Sequence, residues 1–311
     1  MRIMMLGLLC GMLLAVPLAA RERSFEVTFR VLDDVGQPVA GAKTGIAYER
    51  LGYRKPSERF GLAYGSSDEN GLVTLQGKTA AYQIAYGAER AGHYPVSSLY
   101  HRFTGSTWRR WQPWNPTIEV VLKRIRNPVP MYARRVSASL PKLDEPVGYD
   151  FMAGDWVAPY GRGQNTDMVF RGKLRQGGDR DFDWELLVTF SNPGDGLQRF
   201  SPGPDHAAFR SDYAAPEEGY LAEWKLRRWR EGPAVREQTT FDHKAGYYFR
   251  VRTVLDEDGK VKQALYGKIY GDFFDLTYYL NPDGTRNVEY DPQRNLLRPA
   301  GSRDRAYDLA P

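Results

Sequence analysis

Apolar residues recur at every second position in run after run of this chain, with glycine-bearing corners between the runs. That period of two is the feature that most narrows what the chain can fold into. Residues 25–32 show it plainly, with Phe25, Val27, Phe29 and Val31 on one side of an extended segment. Residues 117–123 repeat it with Ile118, Val120 and Leu122. Strands patterned in this way bury their apolar side only between sheets, so the expected fold class is all-β. With 311 residues, two domains are expected.

The corners of the first half are specific. Asp33-Asp34-Val35-Gly36-Gln37-Pro38 is a turn leading into Val39-Ala40-Gly41-Ala42, and Ser67-Asp68-Glu69-Asn70-Gly71 is a second turn leading into a strand that starts at Leu72. A further strand at 83–86 precedes Gly92-His93-Tyr94. These motifs resemble those of carboxypeptidase-regulatory-like and bacterial Ig-like modules, over about a third of the chain. The chain departs from the pattern in an insertion at 49–64 and in the tryptophan-rich stretch before residue 117. The resemblance implies an Ig-like or prealbumin-like β-sandwich over residues 21–125. It also implies a non-catalytic accessory or adhesion role, in some modules with glycan contact.

Residues 126–148 are rich in proline, arginine and serine and read as a linker. Residues 149–297 then show eight strand-like runs, at 166–175, 182–191, 220–230, 234–242, 247–255, 261–270, 273–280 and 285–290. Most are joined by short hairpin connectors, and one long connection spans 192–219. This predicts a larger antiparallel meander, closed as a barrel or folded into packed sheets. Gly154-Asp155-Trp156 resembles the Gly-x-Trp that opens lipocalin-like barrels, which keeps the barrel in view. Residues 298–311 read as a tail.

Arg2, the apolar run from Ile3 to Val16 and the small residues up to Ala20 read as a signal peptide over 1–20. The expected location is therefore the periplasm, cell surface or extracellular space. Cys10 is the only cysteine, so disulfides, a thiol nucleophile and cysteine metal sites are excluded from the mature chain. Losing Arg2 with the leader takes the net charge from +5 to +4, with both signs intermixed. That balance disfavours nucleic acid as a partner and permits attraction to acidic envelope polymers. No further apolar segment is long enough to form a transmembrane span.

Candidate binding residues cluster in Trp108-Arg109-Arg110-Trp111-Gln112-Pro113-Trp114. In an extended left-handed segment, indoles three apart share one side, and Trp108, Trp111 and Trp114 with Arg110 would grip a sugar chain or an acidic polymer. Burial of the same rings against the sandwich is the competing expectation. His206 and His243 each follow an aspartate and are candidates for ligand binding or acid–base work. Asp256-Glu257-Asp258-Gly259 reads as a hairpin turn, because the later ligands of a calcium loop are missing. Asp272, Asp275, Asp283, Glu289 and Asp291 read as turn acids. No Gly-x-Ser-x-Gly, His-Glu-x-x-His, phosphate-loop or dinucleotide motif occurs, and no cofactor or metal is expected.

The functional expectation is an exported binding, structural or adhesion protein of the cell envelope. Its partner would be envelope polysaccharide or another envelope protein. An extracellular hydrolase of glycans or esters and a lipocalin-like carrier are the alternatives.

Overall fold

The computed structural model describes residues 21–137, 140–200, 211–242, 245–271, 273, 275–299 and 309. The leader 1–20, His206, His243, Asp272 and most of the tail lie outside the described residues. The chain is all-β and divides into two compact units, with the change of unit falling between Ile125 and Arg126.

The first unit contains β1 (Arg23–Asp33), β2 (Lys43–Glu49), β3 (Phe60–Ser66), β4 (Leu72–Thr79), β5 (Gln83–Glu89), β6 (Val96–Arg102), β7 (Gly105–Ser106), β8 (Trp111–Gln112) and β9 (Thr117–Leu122). They form a three-stranded sheet in the order β4-β1-β9, a four-stranded sheet β3-β2-β5-β6 and a ribbon β7-β8. All pairings are antiparallel except β1 with β9. The two larger sheets close on one core. Phe25, Val27, Phe29, Val31, Val120 and Leu122 are buried there with Ile46, Ile84 and Tyr86, as the alternation requires.

Both sequence corners fold as read. Asp33 accepts backbone N–H bonds from Val35 and Gln37, and Asp68 accepts them from Asn70 and Leu72. Gly71 has φ +75, and a Cβ there would lie 2.4 Å from the Val31 carbonyl oxygen, so the second corner admits only glycine.

The second unit contains β10 (Val129–Ser137), β11 (Val147–Asp150), β12 (Asp155–Trp156), β13 (Met168–Gln176), β14 (Phe182–Thr189), β15 (Gly196–Phe200), β16 (Glu223–Arg230), β17 (Gln238–Thr239), β18 (Gly246–Leu255), β19 (Val261–Gly271), β20 (Asp275–Asn281) and β21 (Tyr290–Asn295). They form two six-stranded sheets, β12-β11-β13-β14-β16-β17 and β15-β18-β19-β20-β10-β21. Tyr149, Phe170, Leu186 and Val188 from the first, with Phe151 just after β11, meet Tyr247, Phe249, Val251, Ile269 and Tyr278 from the second. Phe151 stacks on Phe249 with centroids 4.6 Å apart.

The sheets pack face to face, and among the described residues no barrel closes. The lipocalin-like reading is thereby corrected. Trp156 sits on a two-residue strand of an open sheet and packs edge-on against Tyr149 and Phe170, where a carrier would have a lumen.

Four further expectations change. The linker 126–148 is replaced by two strands of the second unit, β10 and β11. Pro130 suggested a linker, yet it falls at the irregularity between Val129 and Met131, where its missing N–H breaks no ladder bond. The long connection 192–219 contains β15, and the expected strand 234–242 shrinks to β17. The run at 285–290 is a turn region, with its strand beginning only at Tyr290.

Candidate functional site

The tryptophan motif lies on the β7-β8 ribbon. Thr107 N–H and Oγ1 both donate to the Arg110 carbonyl, which folds 107–110 into a tight turn with Trp108 and Arg109 at its tip. The Ser24 N–H donates to the Arg109 carbonyl at 2.9 Å, and the Arg23 guanidinium donates to the Thr107 carbonyl at 3.3 Å. These bonds dock the ribbon on the start of β1.

A turn reverses direction, so the three indoles do not share one side as an extended segment would place them. Trp111 goes inward and is 8% exposed. It stacks on Phe103 at 5.5 Å, and its Nε1 donates to the Thr79 carbonyl at 3.0 Å. Trp108 and Trp114 stay outside at 69% and 36% exposed. Each carries cations on its ring: Arg21 and Arg109 over Trp108 at 5.9 and 4.8 Å, and Arg110 over Trp114 at 4.6 Å.

Trp114 and Arg110 border a groove of about 630 Å³. Phe25, Tyr48 and Gly77 also line it, as do Arg50, Lys78 and Glu22. Gly77 keeps this space open, since a Cβ there would come within 2.7 Å of Phe25 and 2.8 Å of Tyr48. Three cations line the groove against one carboxylate. Glu22 is itself engaged, accepting the Leu51 N–H at 2.8 Å. The arrangement is a basic surface with an indole at its edge. It suits a ligand that carries both anionic groups and flat C–H faces.

Trp114 and Arg110, named from the sequence as candidates, line this groove together with Tyr48, Arg50, Gly77 and Lys78, which no sequence motif singles out. These four come from β4, from β2 and from the residue just after β2. No local motif joins these positions. Their proximity is a consequence of β1 pairing with β4 and of the two sheets packing together.

The second unit holds two buried polar clusters. The Arg252 guanidinium donates to both oxygens of Asp167 at 2.7 and 3.0 Å and to Asp150 at 3.1 Å. Burial pulls the Asp150 carboxyl upward, but the N–H groups of Asn165, Gln164 and Ala153 and the Arg252 charge outweigh it and hold it below the usual range. At Asp167 burial wins over the same arginine, and its carboxyl lies above the usual range. These partners satisfy one another around a kink where Arg252 has φ +55, so the cluster braces the fold. The second cluster is Lys268, whose Nζ donates to Ser211 Oγ at 3.0 Å between the rings of Tyr270 and Tyr279. Lysine and serine are both buried, so the pair does not face solvent.

Among the described residues no group of three or more His, Cys, Asp or Glu is placed to hold a metal. Asp256 closes its own hairpin by accepting the Asp258 and Lys260 N–H groups.

No protein-family model matches the chain, and no curated protein matches it. Solved structures of partial similarity include 3-chlorocatechol 1,2-dioxygenase from Rhodococcus opacus 1CP, at 10% identity and TM-score 0.27, covering 34% of this chain and 62% of that one. The shaft pilin spaA from Lactobacillus rhamnosus GG is 12% identical at TM-score 0.24, covering 75% and 89%. A streptococcal ancillary pilin is 10% identical at TM-score 0.23, covering 86% and 61%. The chain spans about six-tenths of the length of the chlorocatechol dioxygenase. At these scores the similarities carry no argument about function.

Proposed function

We propose that this is an exported, non-catalytic protein of the cell envelope whose first unit holds acidic polysaccharide in the groove beside Trp114. The observation that carries this reading is the convergence of Arg50, Lys78 and Arg110 on one groove edged by an exposed indole. Guanidinium and ammonium groups attract the carboxylates or sulfates of such a polymer, and an indole stacks on the C–H face of a sugar ring. The signal-like leader and the absence of nucleophile or metal motifs support the placement and the lack of catalysis.

The experiment is calorimetric titration of the protein with acidic oligosaccharides (oligogalacturonate, sulfated oligosaccharides) and with neutral ones of equal length. Acidic chains should bind and neutral ones should not. Raising salt from about 0.05 to 0.5 M should weaken the interaction, because the Debye length falls to about 4 Å. Trp114→Ala and Arg110→Ala should each cost about tenfold in affinity, or about 1.4 kcal/mol. Equal affinity for neutral chains, or no effect of either substitution, would refute the assignment.

A further inference from the structure

Strand β3 is the outermost strand of its sheet, and among the described residues no strand or isolated bridge pairs with its free side. Its pairing with β2 determines which backbone groups are left over. The Arg50 N–H donates to the Arg59 carbonyl and the Ser67 N–H to the Ala42 carbonyl, one bond at each end of the ladder. Antiparallel alternation then turns the N–H and C=O of Gly61, Ala63 and Gly65 towards β2. Those of Phe60, Leu62, Tyr64 and Ser66 point away from the sheet. The same residues display their side chains to solvent, with Leu62 56% and Tyr64 66% exposed.

An exposed edge invites another strand, and proteins guard their edges with charge, proline, kinks or brevity. Every other sheet edge among the described residues has such a guard. Lys78 lies on β4 and Glu119 on β9, Ser98 kinks β6 at φ +60, and Pro292 lies in β21. β12 and β17 are two residues long, and β15 is bridged by Leu221. β3 has seven residues in unbroken register with β2, without charge, proline or positive φ. Its glycines are required by packing, since a Cβ on Gly61 would lie 2.3 Å from the Tyr48 ring.

The edge is also complementary to itself. Set antiparallel to a second copy with Ala63 opposite Ala63, β3 places Phe60 against Ser66 and Leu62 against Tyr64. Every outward N–H then meets an outward C=O, and Leu62 and Tyr64 of the two copies form one apolar row. Charge selects the same direction. Arg54, Lys55 and Arg59 precede the strand with Glu58 as the one acid among them, whereas Asp68 and Glu69 follow it. An antiparallel copy brings the basic approach of one chain beside the acidic exit of the other, and a parallel copy would set like beside like. We propose that β3 is a dimerisation edge, joining two copies of this chain into one continuous sheet about a two-fold axis.

Sedimentation velocity of the full chain over about 1–200 µM, with hydrogen exchange of residues 60–66 at both ends of that range, tests this. The expected result is a reversible dimer in which exchange of 60–66 slows as concentration rises. A Leu62→Lys/Tyr64→Lys variant faces lysine with lysine across the two-fold axis and should weaken association at least about tenfold. Both side chains are already exposed, so its far-UV circular dichroism should match the parent. The parent's exchange data decide the matter even if the variant misfolds. A parent that stays monomeric, a variant that dimerises as well as the parent, or a dimer whose 60–66 exchange is unchanged would each overturn the proposal. The first of these outcomes would leave the edge to an unlike strand.

Discussion

Burial and charge compete at single residues here, and two side chains expose that competition to measurement. Arg252 satisfies two buried carboxylates at once. Truncating it leaves both without their counter-charge, so Arg252→Ala should destabilise the second unit by about 3–5 kcal/mol in urea denaturation, the usual cost of breaking a buried pair from one side. His101 behaves differently. Burial lowers its pKa below 6.5, and its buried Nε2 has no hydrogen-bond partner among the described residues. The folded state therefore resists protonation of the imidazole, while the unfolded chain takes up a proton near pH 6.5. His101's contribution is complete above that pH and shrinks as pH falls through it. The urea midpoint of the parent should accordingly drop between about pH 7 and 5 more steeply than that of His101→Phe. Parallel pH profiles for the two proteins would contradict this.

At the scale of elements, the β7-β8 ribbon separates residues of one type into opposite roles. Trp111→Ala empties a stacked site beside Phe103 and should cost about 3–5 kcal/mol. Trp108→Ala removes a ring already in water and should change stability by less than about 0.5 kcal/mol. Chemical denaturation of the two variants side by side checks the contrast. β10 supplies a second test. Met131 is fully buried on this strand, which pairs with both β20 and β21. Met131→Ala should cost about 2–5 kcal/mol, whereas a residue in a linker would tolerate the change.

Considered as a whole molecule, the chain divides into two units, each built around its own large apolar core, and carries a single cysteine. Scanning calorimetry should resolve two unfolding transitions, and a reducing agent should shift neither, since one cysteine forms no intramolecular bridge. A single cooperative transition, or a reductant-sensitive one, would count against this division.

Much of this architecture was legible in the residues. Phe25, Val27, Phe29 and Val31 alternate because a strand with one buried face must, and Asp33 and Asp68 begin turns because their carboxylates cap the backbone that follows. Those are local effects, and a chain carries its local physics openly. Non-local pairing is not local physics. Pro130 disguised β10 because proline is harmless at a point where no ladder bond is needed, and only the partner strands decide where that point lies. Barrel or packed sheets, likewise, depended on strand order, which alternation leaves free. The groove belongs to the same class: Arg50, Lys78 and Trp114 are distant in the chain and meet because sheets pack, so charge converging in space left no trace in charge along the sequence.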